Sequence, residues 1–446
     1  MDNKITVKHL GRDEFASALR KGQGRALLHI LHFGLDEVAD LVLEACIHNQ
    51  VYDQDIDDGR SDWLFSMFQD TVQFPEFRAR ILHALKIETD LNNLFQLLNL
   101  AGCLIDLGDM EAHHTLEEVV YRLATDPKND WLMVTRWLDV MGAEAMLQFS
   151  RIYGQRLLDN PKDEIDSGDF LYLFEDHPTF EELLKKYSKE ENSIRIFQEY
   201  LEKQARIRLI KPENNETRKK RIHKLFRKKN SPLSILEDAR NKKWDYPSHY
   251  YSFGKHATIE ELEYIYTNLL YETDDAVRTR LLWVFRRVKL PHLDKELFDW
   301  ANGVNNDLRA ASINALAQIS DEQVHDLARM KTERQNLIGA DNDVFDLFLN
   351  NYDENDALLI NRSIVDIRPD AQDAYSLGFS LIELANRYED PNLASAIVWT
   401  YENTPSTFNR YRAVLWLDRY HKLSDAYRFE CKYDAEDSVR EFVQCI

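Results

Sequence analysis

Glycine and proline are scarce in this chain, with 14 and 11 occurrences in 446 residues. Both counts lie below average usage, and because the turns between strands depend on these residues, the shortage disfavours a β-rich fold. Runs of alternating apolar and polar residues, which are typical of strands, are also rare. Hydrophobic residues make up 44% of the chain, which is enough for a buried core. The composition therefore predicts an ordered, helix-rich protein.

Cysteines are few as well, and no two of them form a CxxC pair. The four thiols lie in apolar helical contexts, so we expect them to be reduced and buried, as in a cytoplasmic protein; they are Cys46, Cys103, Cys431 and Cys445. The most apolar stretch, residues 94–107, is interrupted by polar side chains and is too short to cross a membrane. The N-terminus has no apolar core of a secretion signal, which also favours a cytoplasmic location.

Signature motifs of the common enzyme classes are missing from the sequence. It has no HExxH, GxSxG, P-loop or protein-kinase signature. The pair Gly22 and Gly24 opens like a dinucleotide-binding fingerprint but lacks the third glycine and a preceding strand. We therefore expect a protein that is not an enzyme and that has no catalytic residues and no cofactor.

The histidines do not form a metal-binding motif either. His29 and His32 make an HxxH pair, but zinc needs three or four ligands, so we interpret both as packing or surface residues. His113 and His114 are adjacent and point about 100° apart on a helix, which argues against joint chelation. The dipeptide at His325 stands without further ligands. The prediction is that the chain has no metal site.

An aspartate-rich stretch at residues 49–63 raises the question of calcium. Asp53, Asp55 and Asp57 alternate as ligands do in an EF-hand loop. Gly59, however, comes one position too late for the sharp turn, and Leu64 occupies the position of the bidentate glutamate. The stretch is better interpreted as a solvated loop between helices.

The same loop belongs to a recurring pattern. Residues 271–278 read YETDDAVR and residues 433–440 read YDAEDSVR, which is Tyr, acid, any, acid, Asp, small, Val, Arg in both. Partial copies occur at 352–359, 388–393 and 306–309, and the opening stretch fits with an insertion between Tyr52 and Arg60. A pattern repeated at irregular spacings of about 30–50 residues indicates stacked helical units.

Each copy also resembles the start of a helix. A polar residue stands just before an apolar run, where its side chain can cap the first turn; these residues are Asp275, Asn306, Asp356, Asn392 and Asp437. Apolar residues then recur at spacings of three, four, seven and eight, which are helical. They are Val277, Leu281, Phe285 and Val288 in one copy, Leu308, Ala311, Ala315, Leu316 and Ile319 in the next, and Val439, Phe442, Val443 and Ile446 in the last.

These segments resemble HEAT repeats. DDAVRTRLLWVFRRV and NNDLRAASINALAQI are similar to the second helix of such a repeat, and RFECKYDAEDSVREFV is similar to segments of bacterial HEAT-repeat proteins of unassigned function. The resemblance covers residues 250–446 and, more faintly, 15–160. It implies an all-α protein built as an α-solenoid of HEAT-like repeats. The expected regions are 1–205, N-terminal and HEAT-like; 206–250, a basic linker with an amphipathic helix; and 251–446, C-terminal HEAT-like repeats.

Charge is strongly asymmetric along the chain. The net charge is -21, but residues 206–229 carry +9. Ile222, Leu225 and Phe226 follow helical spacing there, which predicts a short basic amphipathic helix. Its candidate interaction residues are Arg218, Lys219, Lys220, Arg221, Lys224, Arg227, Lys228 and Lys229. The helix can be a solvated linker against the acidic body, a site for nucleic-acid phosphates, or a docking element for an acidic protein or membrane surface.

Two functions remain open from the sequence. The main prediction is a non-enzymatic scaffold, regulatory or immunity-type protein that binds a basic protein partner on the surface of the solenoid. The alternative is a nucleic-acid-binding HEAT-like protein, possible through residues 206–229, and by analogy a DNA glycosylase-like enzyme. HEAT-like alkyl-purine glycosylases place Trp, Asp and Arg on a concave surface, and the residues here that match in type are Trp283, Arg286, Arg287, Asp299 and Trp300.

Overall fold

The computed structural model describes residues 6–52, 60–124, 147–162, 165, 178–209, 230–243, 246–334, 337 and 339–445. Every regular element in these ranges is a helix, which confirms the predicted all-α class. The chain divides into two units. The first comprises Met1–Glu213 and Phe429–Ile446, and the second comprises Asn214–Arg428. The predicted region boundaries near 205 and 250 stay predictions.

The first unit is built from short helices around one apolar core. Its helices are α1 Arg12–Lys21, α2 Gly24–Phe33, α3 Ala39–Ile47, α4 Arg60–Ser66, α5 Phe74–Ile87, α6 Leu91–Asp106, α7 Met110–Ala124, a helical stretch at 147–159, α8 Pro178–Tyr187 and α9 Asn192–Leu209. The apolar stretch around residues 94–107 forms most of α6, where Leu94, Leu97 and Leu104 are fully buried. This stretch is therefore part of the apolar core of the first unit.

The second unit continues with further helices. They are α10 Pro232–Arg240, α11 Pro247–His256, α12 Ile259–Tyr271, α13 Asp275–Leu282 with a 3-10 turn at Trp283–Phe285, α14 Lys295–Ala301, α15 Asn306–Leu316, α16 Glu322–Glu333, 3-10 segments at Gly339–Asp341 and Val344–Asn350, α17 Asp356–Ile364, α18 Ala371–Tyr388 with a 3-10 turn at Pro391–Leu393, α19 Ala394–Asn403 and α20 Thr407–Arg419. Two more helices follow: α21 Asp425–Cys431, which spans the unit boundary, and α22 Asp437–Gln444, which belongs to the first unit.

Helices two apart along the chain lie side by side in both units. In the second unit α13 contacts α15, α15 contacts Val344–Asn350, that segment contacts α18, and α18 contacts α20. Consecutive helices also pack together, as α14 does with α15 and α19 with α20. In the first unit α3 contacts α5, α4 contacts α6, and α5 contacts α7. Short amphipathic helices bury their apolar faces in this way, since one alone is too short to be stable.

The arginine of the repeated pattern has the same local structure in three copies. Arg278 donates to the carbonyl oxygen of Glu272 at 2.9 Å and to the carboxylate of Asp275 at 2.8 Å. Arg309 donates to the carbonyl of the residue six earlier, at 2.8 Å, and to the side chain three earlier, at 3.0 Å. Arg440 makes the same two contacts at the same offsets. The guanidinium thus fixes the turn that precedes each helix to the helix's first turn, which explains why the pattern ends in arginine.

The predicted capping residues lie one or two positions too late. The side chain that caps α13 is Asp274, and the one that caps α15 is Asn305. The 3-10 turn at Pro391–Leu393 is capped by Asp390, and α22 by Glu436. The sequence has two acceptors in succession at most of these junctions, and periodicity does not decide which one caps. Asp356 is buried and accepts from the backbone N–H of Asp353 instead.

The two ends of the described chain meet within the first unit. The indole N–H of Trp63 donates to the carbonyl of Tyr433 at 2.8 Å, and Arg25 pairs with Glu430 at 2.8 Å. Gly24 lies against this segment so closely that a Cβ there would come 2.0 Å from the carbonyl oxygen of Glu430. The last copy of the repeated pattern therefore packs against α2 and α4.

None of the four cysteines is in a disulfide, as the sequence predicts, but not all of the thiols are buried. Cys46 and Cys431 are buried, whereas Cys103 is half-buried and its thiol donates to Asp62. Cys445 is exposed, so the expectation that it would be buried is wrong. Cys445 lies just after the last turn of α22, beyond the apolar face of that helix, which contains the buried Val439 and Val443. Burial raises the pKa of the Cys46 thiol, which makes it unreactive.

Candidate functional site

A groove crosses the second unit where three elements of the helical series meet. It is a cavity of about 320 Å³ between α13 with its 3-10 turn, α15 and the start of Val344–Asn350. Its lining mixes small, aromatic and charged side chains: Ala276, Thr279, Arg280, Leu282, Trp283, Arg286, Asn305, Asp307, Ala310, Ala311, Asn314 and Asp343. We call this cavity the groove. It has the volume of a small binding pocket.

The polar side chains of the groove are held in place by one another. Asn314 donates its amide to Asp343 at 2.9 Å and to the carbonyl of Ala310 at 2.9 Å. Asn305 reaches across to Asp275 at 3.3 Å. Trp283 packs against the buried ring of Tyr250, with 5.7 Å between ring centres. Because these groups are hydrogen-bonded or packed against neighbouring helices, the shape of the groove is set before any ligand binds.

Asp346 extends the charged lining from the groove to α18. Its carboxylate is hydrogen-bonded by Ser380, and it is near enough to Asp343 and Arg286 to be influenced by both charges. Withdrawal from water raises the pKa of Asp346 to about 7, and repulsion from Asp343 adds to the rise. The group therefore changes charge near neutral pH.

Two exposed phenylalanines follow on α18 and α20. Phe379 and Phe408 are 39% and 45% exposed, and the guanidinium of Arg412 lies between them, 5.6 and 5.5 Å from the two ring centres. Arg412 is also paired with Glu383. We call these four residues the aromatic patch. Its arginine is held by cation–π contacts and an ion pair, so the rings present a fixed apolar surface to solvent.

The residues of the glycosylase analogy do not come together. Trp283 and Arg286 line the groove, but Arg287 lies over the ring of Tyr251 at 4.6 Å. Asp299 accepts from Lys295 one turn earlier, and Trp300 is covered by Arg278 at 5.1 Å. The structure thus divides the five among four local packing arrangements.

The basic candidate residues lie outside the described residues. All eight, from Arg218 to Lys229, fall in the range 210–229, so their role stays a prediction. The aspartates at 53, 55 and 57 of the calcium argument also lie outside. Leu64, which replaces the bidentate glutamate of that argument, is described and is fully buried in α4.

The HxxH pair has packing and surface roles, as expected. His29 is buried and accepts the backbone N–H of Leu10 at Nδ1, while burial and the charge of His9 lower its pKa. His32 is exposed and contacts the carbonyl of Leu28. His325 pairs with the buried Asp356 at 2.8 Å rather than with its sequence neighbour, and so links α16 to α17.

His113 and His114 are closer to a metal-binding arrangement than the sequence argument allowed. Glu117 follows His113 by four residues and His114 by three, so its carboxylate lies near both rings. Its Oε2 is 3.6 Å from Nδ1 of His113 and 3.5 Å from Nδ1 of His114. The donor atoms of the three residues all lie within 4.8 Å of one another, the single such group of three or more ligand residues found in the described ranges. Adjacent histidines do point about 100° apart on a helix, but Glu117, which lies near both, was left out of that comparison.

Comparison of the chain with protein-family models, with curated proteins and with solved structures finds no match. Within the described ranges no helix combines the length and apolar content that crossing a membrane requires.

The groove and the aromatic patch were not predicted from the sequence beyond Trp283 and Arg286. Asn314, Asp346 and Phe379 come from separate helices, and each looks like an ordinary surface residue of its own helix. A usable signal was the pairing of an exposed aromatic with arginine four residues later, as in Phe408 and Arg412.

Proposed function

We propose that the chain is a non-enzymatic protein-interaction scaffold, of a regulatory or immunity type, which binds a basic protein on the surface of an α-solenoid. The observation that carries the proposal is that the groove, Asp346 and the aromatic patch lie on a series of elements, each packed against the next: α13, α15, Val344–Asn350, α18 and α20. A surface that combines accessible aromatic rings with fixed charges is typical of protein interfaces.

The solenoid part of the proposal is supported by the neighbours of each helix. Helices two apart in sequence lie side by side through much of both units, and three junctions repeat the same arginine contacts. In a stack of HEAT-like pairs, each unit buries its apolar face on the next, and equivalent helices line one extended surface. The groove and the patch lie on one such series of helices.

Affinity in this proposal comes from the aromatic patch. Covering the exposed parts of Phe379 and Phe408 would contribute about 1 kcal/mol each, since full burial of such a side chain is worth about 1.5–3 kcal/mol. The groove would add an anchor side chain from the partner, placed beside Trp283 and Asp343. Preformed side chains reduce the entropy that binding must overcome.

Charge in this proposal acts on rate and selectivity. The chain has a net charge of -21, which attracts a basic partner before contact and raises the association rate. The groove itself carries both signs of charge, because its lining includes Arg286 together with Asp307 and Asp343. Charges of both signs favour one binding orientation of the partner over indiscriminate attraction of cations.

The test is affinity capture from the native host with three versions of the full chain. These are the wild type, the double variant Phe379→Ala/Phe408→Ala, and Leu358→Ala, which removes a residue that is 78% exposed on α17. A protein that is captured by the wild type and by Leu358→Ala but lost from the double variant supports the proposal. Capture that is equal for all three, or that nuclease treatment abolishes, contradicts it.

A further inference from the structure

A cluster of nitrogen and oxygen donors lies on α7, in the first unit and outside the groove. It consists of His113, His114 and Glu117. On a helix, residues three and four apart lie on the same face, so Glu117 shares a face with each histidine. The helix thus presents two imidazoles on either side of one carboxylate.

The distances in this cluster suit a common ligand. Glu117 Oε2 lies 3.6 Å from Nδ1 of His113 and 3.5 Å from Nδ1 of His114. Two ligand atoms on a tetrahedral zinc ion, each about 2.0–2.1 Å from the metal, are about 3.3 Å apart. Two of the three edges already have nearly this length, and the third is within 4.8 Å. A rotation of the exposed His114 ring can shorten it.

One donor atom in the cluster is buried without a hydrogen bond. Nδ1 of His113 is inaccessible to solvent and has no hydrogen-bond partner, although it points toward Glu117. A buried nitrogen lone pair without a partner is costly, and nearly all such atoms find one. In the tautomer with the proton on Nε2, this lone pair is available to a metal ion.

Glu117 is also oriented from the next helical stretch. The amide of Gln148 donates to its Oε1 at 3.5 Å, which leaves Oε2 directed at the two histidines. Hydrogen bonds of this kind orient a ligand and are common around metal sites.

We propose that His113, His114 and Glu117 bind a divalent transition-metal ion of the zinc type. Two imidazoles and one carboxylate suit zinc, cobalt or nickel, whereas calcium and magnesium prefer sets of oxygen ligands. His114 is 71% exposed, so water completes the coordination on that side. The ion connects the three side chains on α7 and, through Glu117 and Gln148, joins α7 to the helical stretch at 147–159.

The experiment uses Co²⁺ as the probe, because its visible absorption reports nitrogen and oxygen ligands directly. The full chain, with a phosphine reductant to keep thiols reduced, is titrated with Co²⁺ and then with Zn²⁺. The variants are His114→Ala and Glu117→Gln. The matched control is His48→Ala, because His48 forms a pair with Glu44 at 3.7 Å, with the same spacing of four residues but only two donors.

We expect the wild type and His48→Ala to bind one more equivalent of Co²⁺ than His114→Ala, and Zn²⁺ to displace it. Glu117→Gln should bind that equivalent at least about tenfold more weakly, since even loss of a group that only orients a ligand costs that much. Zn²⁺ should raise the melting temperature of the wild type and not of His114→Ala.

The same stoichiometry and affinity in the wild type and in His114→Ala would overturn the proposal. So would the absence of any Co²⁺ spectrum, or a loss in His48→Ala equal to that in His114→Ala. Since His114 is largely exposed, its replacement leaves the fold intact, and far-ultraviolet circular dichroism verifies this for each variant.

Discussion

Replacing Arg278 with alanine removes the contacts that define the repeated junction. The guanidinium donates to the carbonyl of Glu272 and to the carboxylate of Asp275, and it lies over the ring of Trp300. Glu272 caps the C-terminal end of α12, where the carbonyl groups have no donor within the helix. When Arg278 is removed, the helix itself therefore supplies no replacement for the lost hydrogen bond. We therefore expect a measurable loss of folding free energy.

The magnitude follows from the three contacts. The charge-assisted bond to the carbonyl is worth about 1.5 kcal/mol. The pair with Asp275, whose side chain is 42% exposed, is worth less than about 1 kcal/mol because solvent screens it. The contact with Trp300 adds about 0.5–1 kcal/mol. The sum is about 2–3 kcal/mol, and Arg278→Lys should lose about half of this because an ammonium group lacks the planar fork.

The assay is equilibrium unfolding in urea, followed by circular dichroism. The matched control is Arg362→Ala, an exposed arginine on α17, for which we expect a change within about 0.5 kcal/mol. Arg309→Ala and Arg440→Ala should each lose the same two hydrogen bonds as Arg278→Ala, and Arg309→Ala should also lose an ion pair with the buried Asp341. If Arg278→Ala and Arg362→Ala unfold at the same urea concentration, the structural role of this arginine is refuted.

Three further perturbations test other parts of the structure. Gly24→Ala should loosen residues 429–446 and speed their proteolysis, because the new Cβ would lie 2.0 Å from Glu430, whereas Gly11→Ala, which meets nothing within 4 Å, should not. Asp346→Asn should stabilise the fold more at pH 8 than at pH 5 in urea unfolding, and the two effects should differ by at most about 3 kcal/mol. The folded carboxyl, with a pKa of about 7, holds its proton after the unfolded one has lost it, so the wild type loses stability as pH rises through that window. An equal effect at both pH values would contradict this. Gln96→Leu should cost about 2–3 kcal/mol, because its amide donates to the carbonyls of Ala45 and Cys46 at 2.7 and 2.9 Å, and hydrogen exchange at the end of α3 should rise.

The helical class could be predicted because its signals are local. Apolar spacing depends on neighbours within two turns, and the arginine pattern depends on residues six apart, so both are visible in a single sequence. Exact capping positions were missed where two acceptors stand in succession, as at Asp274 and Asp275. The exposure of Cys445 was missed because its helix ends one residue earlier.

The candidate sites could be predicted only in part, because they combine distant positions. Arg286 and Arg412 are separated by more than a hundred residues, and no local pattern relates them before the helices pack. The metal cluster is a different case, since all three residues lie within one and a half turns of α7. It was missed because only the two histidines were compared, and Glu117, which shares a face with each, was left out.

The central claim is that the surface formed by the groove and the aromatic patch binds a protein, and photo-crosslinking in the native host tests it most directly. A photoreactive phenylalanine analogue is placed at Phe408 in one version of the chain and at Leu358 in another, both of which are exposed. We expect a discrete adduct with a basic protein from position 408 and none from position 358. Identical adducts from both positions, or a nucleic-acid adduct from position 408, would contradict it.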